Sequence, residues 1–545
     1  MRPVPSTKIA SAAVMAFVAF AATACGGATT SGGGGGLPFQ ITAGTPTAKG
    51  PVDSATWSLY AEPQSLDYAY AFDYPPNTVL ANVCEQLNRI TPDLKVEPGL
   101  ATAATSPDPL RWVYTIRPGV KFHDGSPLTA DDVVASLRRH MDPAVGSYWV
   151  AAFQNVDSIE KTGPMEVTVH LRKPDQLFNQ EMGTSAGTIE SATFLTKAGA
   201  NYGTPDGGVN CTGPYSVASW QKGQSINLKK FDGYWDSALA PKTSTVKMAF
   251  IQDPAARVNA MLSGEVDGGY LLPSTGFDKL KTAPGGTLFF GPSTTAVSLI
   301  PTNLRGTLGD ARIRKALSMA LDRSGIISAA VGGYGTPAKA PTAIGAWGLA
   351  PDAAKDYFAQ LPDYTRDVAG AKALIEQAGA TGKKVVVATS TMSPELGVIA
   401  NAVQSAGHDI GLDVQLQPVA PDAYTALFGD ASARAGIDLV TTFWYDSTPD
   451  PLELYGMLQT GNALNYGGYS NPDYDRLVDQ AGATADPAAR CAVTAKLQQI
   501  AVNDLAWIPL YEVPNNMFLS KKLTGATTSI AQLQYPWAAQ LGSAS

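Results

Sequence analysis

The side chains that most often carry catalysis or metal binding are scarce and scattered in this chain. There are four histidines, His123, His140, His170 and His408, and no two of them have metal-ligand spacing. Neither the HExxH motif of zinc enzymes nor the GxSxG nucleophile motif occurs. The glycine-rich residues 332–335 follow a predicted helix and lack the GxGxxG spacing of a dinucleotide loop. We therefore expect no enzymatic activity, no metal and no cofactor.

Cys25 has the most informative surroundings of the four cysteines. It follows a leader that carries Arg2 and Lys8 and then an uncharged apolar run, residues 9–24, which is the pattern of a signal peptide. The run is too short for a membrane span, which needs about 20 apolar residues. The small residues before Cys25 resemble a bacterial lipobox, whose cysteine is lipidated and becomes the mature N-terminus. Ala22 stands where lipoboxes usually carry leucine, so a freely secreted protein remains the alternative.

The other three cysteines can form one disulfide in an exported protein. They are Cys84, Cys211 and Cys491, and two of three can pair while one thiol stays free. The sequence permits three pairings, of which we favour Cys84–Cys211. Three buried free thiols are the alternative. Their wide spacing, without a CxxC motif, argues against a metal site.

The charge of the chain limits its partners. The formal net charge is −8, and loss of Arg2 and Lys8 with the leader changes it to −10. Nucleic-acid binding needs basic faces, and so does an electrostatic attachment to anionic lipid. We therefore expect no nucleic-acid partner, and we expect the acyl chains on Cys25 to provide the membrane anchor.

Composition divides the rest of the chain into a linker and a large folded body. Residues 25–51 are rich in Gly, Thr, Ser and Ala, with a glycine run at 32–36, and such a segment behaves as a flexible linker. From Val52 onward, strand-like apolar runs alternate with amphipathic helices, which is an α/β pattern. The body exceeds the roughly 250–300 residues at which a single core stops growing, so two or more lobes are expected.

Several elements are predicted clearly by periodicity and capping residues. A helix from 129 to 141 has Thr129 as its cap, and Asp131 and Asp132 lie in its first turn. Two more helices are expected at 310–327 and 366–378, and Gly379 ends the second in a left-handed cap. Strands are predicted at 113–116, 167–171, 385–389 and 439–443.

Residues 110–141 form the most specific pattern in the sequence. They describe a strand, a Pro118-Gly119 turn, a short strand, an Asp124-Gly125 turn and the capped helix. This stretch strongly resembles the family 5 extracellular solute-binding proteins, the receptor subunits of peptide and nickel ABC importers. His123 and Asp124 lie before a turn, so we expect them to order the loop. Further matches follow in the family's order, at residues 62–67, 85–87, 98–101, 212–215, 233–235, 263–267, 310–317, 320–323 and 507–511.

The resemblance implies a two-lobed, periplasmic-binding-protein type II-like α/β fold that closes by a hinge. After a signal peptide at 1–24 and the linker at 25–51, the first lobe would span 52–300, with an inserted subdomain near 88–205. The second lobe would span 301–500. Residues 501–545 would return to the first lobe.

The resemblance also implies where a ligand lies. In peptide-binding members, the peptide backbone is held as an added β-strand between two extended segments, and an Asp pairs with its ammonium. The matching segments in this chain are Phe72-Asp73-Tyr74 and Phe443-Trp444-Tyr445, followed by Asp446. A simple turn role for Asp446, and core packing for Trp444 and Tyr445, are the alternatives. No residue is assigned to the carboxylate of a peptide.

The expected function is therefore that of a monomeric, lipid-anchored receptor outside the cell membrane. It captures oligopeptides or dipeptides and delivers them to an ABC permease with its ATPase subunits. Within the same family, a nickel chelate or an oligosaccharide is the alternative ligand. A cell-surface hydrolase and a signalling receptor are the alternatives from other classes.

Overall fold

The computed structural model describes residues 39–545. The predicted signal peptide, Cys25 and the glycine run of the linker lie outside the described residues. Within residues 39–545, no helix combines the length and the apolar character that crossing a membrane would require.

The strands are short to medium in length and alternate with helices along most of the chain. They are β1 Val52–Leu59, β2 Glu85–Gln86, β3 Asn88–Ile90, β4 Val96–Pro98, β5 Ala101–Thr105, β6 Arg111–Ile116, β7 Val156–Gly163, β8 Glu166–Leu171, β9 Thr188–Ile189, β10 Tyr215–Gln221, β11 Ser225–Lys230, β12 Thr243–Phe250, β13 Gly268–Tyr270, β14 Gly286–Gly291, β15 Thr295–Pro301, β16 Thr336–Pro337, β17 Lys384–Thr389, β18 Asp413–Pro418, β19 Leu439–Tyr445, β20 Ile508–Glu512, β21 Asn515–Ser520, β22 Leu523–Thr524 and β23 Gly542–Ser543.

The longest helices lie in the second half of the chain. The α-helices are α1 Tyr74–Val83, α2 Ala130–Arg138, α3 Leu177–Glu181, α4 Ala192–Ala198, α5 Pro254–Ser263, α6 Phe277–Lys281, α7 Ala311–Ala320, α8 Arg323–Val331, α9 Pro351–Ala359, α10 Val368–Gln377, α11 Pro394–Asp409, α12 Pro421–Tyr424, α13 Ala426–Gly429, α14 Leu452–Met457, α15 Pro472–Ala483 and α16 Pro487–Asp504.

Lobe I is built on a seven-stranded sheet with the order β10-β11-β12-β1-β13-β21-β14. Strand β1 runs parallel to both β12 and β13. The core of lobe I contains Trp57, Tyr270 and Trp537, and the ring centroids of the two tryptophans lie 4.4 Å apart. Since Trp537 and β21 come from the end of the chain, the C-terminal segment completes this lobe.

Lobe II is built on a six-stranded sheet with the order β16-β20-β15-β19-β17-β18. Strand β17 runs parallel to β18 and to β19. Successive residues of a strand point to opposite faces, and accordingly Leu439 and Val440 enter two different hydrophobic clusters. The two lobes, each with its own sheet, confirm the predicted α/β class.

The chain crosses between the two sheets twice in the described residues. The first crossing is residues 292–294, between β14 and β15, and the second is residues 513–514, between β20 and β21. The sequence suggested crossings near 300 and 500. Two short connections side by side form a natural hinge, because few backbone dihedrals need to change when the lobes move.

An additional sheet, in the order β5-β6-β8-β7, lies within the chain segment of lobe I. It has its own hydrophobic cluster, which includes Trp112, Tyr114 and Phe178. Cys84, directly after α1, forms a disulfide with Cys211, which follows this segment. This is the pairing we favour from the sequence. Cys491 is a free buried thiol in α16.

The end of the segment predicted as a linker is bound to lobe I. The amide of Thr42 donates to the carbonyl of Phe290 (2.9 Å), that of Thr45 to Ala526 (2.9 Å) and that of Lys49 to Ser543 (2.9 Å). Residues 41–50 therefore cover the C-terminal segment of the lobe, ahead of the boundary at Val52.

The predicted helices differ from the structure at one place. Thr129 caps α2 as expected and forms a capping box with Asp132, and Gly379 adopts φ +60° after α10, as expected for its left-handed cap. The single helix predicted at 310–327 is wrong: it is divided into α7 and α8. Leu321 is extended, and the Asp322 carboxylate accepts a hydrogen bond from the Gly325 amide (2.9 Å), which starts a new helix.

Candidate ligand-binding cleft

The carboxyl ends of parallel strands from both sheets face each other across the space between the lobes. In lobe I, β1 and β13 end at Leu59 and Tyr270, and in lobe II β19 ends at Tyr445. The hydroxyl of Ser274, shortly after β13, lies within hydrogen-bond distance of two acceptors across the gap, the Ala330 carbonyl (3.1 Å) and Glu395 (3.4 Å). In α/β proteins ligands bind at such edges, because loops and helix termini converge there.

The two segments predicted to hold a ligand backbone meet in this cleft. The Tyr445 hydroxyl donates to the carbonyl oxygen of Phe72. The rings of Tyr74 and Tyr445 lie 5.0 Å apart. Asp73 starts α1 by accepting a hydrogen bond from the Tyr74 amide (2.7 Å), and it also accepts one from the Tyr60 hydroxyl (3.1 Å). Both lobes thus contribute to one aromatic strip.

The other two predicted aromatic residues pack within lobe II. Trp444 lies against Trp507, with ring centroids 5.4 Å apart, and Phe443 lies against Tyr511 at 6.4 Å. Their side chains join the hydrophobic clusters on the two faces of the lobe II sheet. Of the trio 443–445, the Tyr445 side chain alone contacts the lobe I strip.

The backbone of β19 has one open edge in the described part of lobe II. Its other edge pairs with β15 along its whole length, whereas β17 pairs with it at Leu439 only. The Tyr424 hydroxyl donates to the carbonyl oxygen of Thr441 (2.8 Å), on the side away from β15. Because backbone groups alternate along a strand, Phe443 and Tyr445 direct their N–H and C=O groups to that same open side.

Asp446 lies directly after this open edge and is almost completely buried, with 3% of its surface exposed. Its carbonyl oxygen accepts a hydrogen bond from the Thr294 hydroxyl (2.7 Å) at the first crossing segment. Within residues 39–545, neither of its carboxylate oxygens has a hydrogen-bond partner. Burial, together with the neighbouring Glu453 and Asp450, raises the pKa of the Asp446 carboxyl well above its usual range.

The acidic neighbours of Asp446 are satisfied by the protein itself. Glu453 accepts hydrogen bonds from the amides of Ser447 (2.9 Å) and Thr448 (2.7 Å). Asp450 forms a buried ion pair with Arg490 (2.7 Å). Asp446 therefore differs from both neighbours, because no group in residues 39–545 satisfies its carboxylate.

A cavity between the lobes adjoins Asp446. It is bounded by the loop after β19, by the loop around β3 and by the C-terminal segment. The lining residues are Ile90, Leu94, Thr294, Tyr445, Asp446, Ser447, Thr448, Pro449, Ile530, Ala531, Leu533 and Gln534. Apart from Asp446 and Gln534, most of these side chains are apolar or small.

The chain also matches a known protein family. The model of the bacterial extracellular solute-binding proteins of family 5 (middle region) matches residues 95–466, more than half of the chain. The chain belongs to this family. It is a family of extracytoplasmic binding proteins, as predicted from the motifs.

Three known proteins illustrate the similarity. This solute-binding protein is 25% identical over 487 residues to the probable D,D-dipeptide-binding periplasmic protein DdpA of Escherichia coli K12, covering 87% of the chain and 91% of DdpA. The structure of AgaA from A. tumefaciens R10, in complex with agropinic acid, superposes with a TM-score of 0.79 at 24% identity, covering 90% and 99% of the two chains. DppA from Helicobacter pylori, in complex with the peptide STSA, gives 0.79 at 21% identity, covering 91% and 99%.

Sequence reasoning missed the contribution of the C-terminal segment to the cleft of this solute-binding protein. Leu533 and Gln534 line the cavity beside Asp446. The Gln534 amide is buried, and neither its oxygen nor its nitrogen has a partner in residues 39–545. The sequence holds no local signal that singles out Gln534, because the stretch 530–541 contains three glutamines, Gln532, Gln534 and Gln540.

Proposed function

We propose that this solute-binding protein captures peptides with a free amino terminus in the cleft between its lobes and delivers them to an ABC permease. The observation that carries the proposal is the buried, unpaired carboxylate of Asp446. An ionised carboxylate in a water-poor site is costly unless a cation compensates it. The ammonium group of a peptide supplies that cation, and Asp446 then selects for it.

The open edge of β19 supports a ligand that binds in an extended conformation. The backbone groups of Phe443 and Tyr445 would hydrogen-bond to the peptide backbone, as an added strand does. Such bonds are independent of the ligand's side chains. The strip Phe72–Tyr74, which contacts Tyr445, would cover the ligand from lobe I. The names and ligands of DdpA and DppA are consistent with a peptide ligand.

Removal of the Asp446 charge tests the proposal. Alanine peptides of two to five residues are titrated, each with a free amine and in N-acetylated form, by isothermal titration calorimetry. We expect Asp446→Asn to weaken binding of the free-amine peptide by about thirtyfold or more, which is about 2 kcal/mol. The N-acetylated peptide should bind weakly to both proteins. An equal loss for the two peptides would overturn the ammonium role.

Asp450→Asn is the matched control, since it removes a buried carboxylate from the same loop. Asp450 is already paired with Arg490, so this variant should alter stability while the preference for the free amine is kept. Native mass spectrometry of the purified protein gives an independent test. A copurified peptide mixture supports the proposal, whereas a single sugar or a metal chelate contradicts it.

We also propose that the protein acts as a monomer held outside the membrane by a lipid on Cys25. The leader and the small residues before Cys25 support this part of the proposal. Mass spectrometry of the mature N-terminus tests it: a diacylglyceryl cysteine is expected, and Cys25→Ala should release the protein into the medium. An unmodified N-terminus on the native protein would contradict the anchor.

A further inference from the structure

Arg257 is a buried cation on the lobe I side of the cleft. It lies in α5, which follows β12, and its guanidinium donates one hydrogen bond, from Nη2 to the carbonyl oxygen of Leu271 directly after β13 (3.2 Å). Its exposed fraction is 5%. Within residues 39–545, its Nε and Nη1 atoms have no hydrogen-bond partner.

The other buried arginines show how unusual this is. Arg323 donates from all three nitrogens, to the Pro509 carbonyl and to two oxygens of Ser318. Arg314 likewise donates from all three nitrogens to backbone carbonyls. Arg490 binds Asp450 through Nε and the Thr484 carbonyl through Nη1. Buried donors are normally satisfied, so two unsatisfied nitrogens on Arg257 indicate a group that the described chain does not supply.

The surroundings of Arg257 place it at the cleft wall. The guanidinium lies 5.7 Å from the ring centre of Tyr60, whose hydroxyl donates to Asp73 of the aromatic strip. Glu395 of lobe II is near enough for its charge to act on Arg257, and Ser274 donates to Glu395 across the gap. Burial lowers the pKa of Arg257 to about 10, so the side chain stays protonated at neutral pH.

We propose that Arg257 binds a carboxylate of the ligand at the lobe I wall, while Asp446 of lobe II binds its ammonium. This inference rests on the proposed function and narrows it to ligands that carry both groups, such as free peptides. A guanidinium binds the two oxygens of a carboxylate through Nε and Nη2 or through Nη1 and Nη2. On Arg257, Nε and Nη1 have no partner in residues 39–545, and Nη2 carries two hydrogens and donates one of them to Leu271, so its second hydrogen can complete such a pair.

The test compares alanine peptides of two to five residues as free acids and as C-terminal amides, by titration calorimetry. The wild-type protein should bind the free acid about tenfold or more tightly than the amide, as expected for hydrogen bonds to a charged group. In Arg257→Gln the two forms should bind alike, because the free acid loses its charge-assisted hydrogen bonds. Arg257→Lys should keep part of the preference, because it keeps the charge and loses the fork.

Arg323→Lys is the control, since Arg323 is equally buried but fully bonded within lobe II. It should leave the ratio of acid to amide affinity unchanged. Thermal melting checks that each variant is folded. If Arg257→Gln does not fold, the ratio of acid to amide affinity of the wild-type protein tests the Arg257 role. Equal affinities of the wild-type protein for acid and amide would overturn the Arg257 role, and so would equal losses of affinity for the two forms in Arg257→Gln. Neither outcome affects the test of Asp446 with N-acetylated peptides. If no alanine peptide binds the wild-type protein, both the proposed function and this inference fail.

Discussion

Asp446 and Asp450 lie in one loop of lobe II and are both buried, yet their surroundings are opposite. Asp450 is paired with Arg490 and also accepts a hydrogen bond from the Leu452 amide (3.1 Å). Asp446 has no partner for its carboxylate in the described chain. The first charge is balanced by folding. The second has no partner in residues 39–545, and this difference, which burial alone would not reveal, is the basis of the ligand role that we propose for Asp446.

The same contrast holds for the buried cations. Arg314, Arg323 and Arg490 are bound within lobe II, where they tie the ends of helices and strands together. Arg257, at the edge of lobe I, has one hydrogen bond. Arg257 in lobe I and Asp446 in lobe II are thus two buried groups of opposite charge type that lack hydrogen-bond partners in residues 39–545.

The largest effect is expected from breaking the balanced pair. Asp450→Asn leaves Arg490 as a buried charge without its counterion, and removing one partner of such a pair costs about 3–5 kcal/mol. The midpoint of guanidinium unfolding should fall markedly. If the variant unfolds at the wild-type midpoint, the Asp450–Arg490 ion pair contributes little to stability. The contrast drawn between Asp450 and Asp446 would then be wrong.

Asp446→Asn should have the opposite effect on stability, and a smaller one. The pKa of Asp446 is raised in the folded state, so its ionisation opposes folding progressively as the pH rises above about 4, the ordinary pKa of an aspartate. The ligand-free variant should therefore equal the wild-type protein in stability near pH 4 and exceed it near pH 7. Thermal melting at the two pH values measures this. A variant less stable than the wild type at pH 7 would contradict it.

The smallest effect is expected from an ion pair at the surface. Lys173, beside the additional sheet of lobe I, lies 3.1 Å from Asp479 of α15, and both side chains are about half exposed. Exposed pairs contribute about 0–1 kcal/mol and are screened by salt. Lys173→Met should change neither the unfolding midpoint nor peptide affinity by more than that. A larger, salt-insensitive loss would mean that this pair holds the lobes closed.

The sequence predicted the fold well where a signal is local. The capping residues at Thr129 and Asp132 gave the start of α2, and apolar runs gave the strands β6, β8, β17 and β19. The break between α7 and α8 was missed because Asp322 is compatible with a helix interior as well as with a cap. Choosing between the two needs the packing of both helices.

The candidate site was predictable only in part. The segments around Tyr74 and Tyr445 meet in the structure, but the inward packing of Phe443 and Trp444 follows from tertiary contacts with Tyr511 and Trp507. Arg257 and Gln534 were invisible because neither belongs to a local motif that indicates binding. Their significance is that they lack partners, and partners distant in the sequence are known only once the chain is folded.

The hydroxyl of Tyr424 would limit where a ligand can pair with β19. By bonding to Thr441, it occupies the first position of the edge of β19 that an added strand could use. A peptide paired with this edge could hydrogen-bond to the backbone groups of Phe443 and Tyr445. The carbonyl oxygen of Thr441 would already be bonded to Tyr424. Tyr424 would then fix the register of the ligand backbone on β19. It would also limit the number of ligand residues that can pair with the strand.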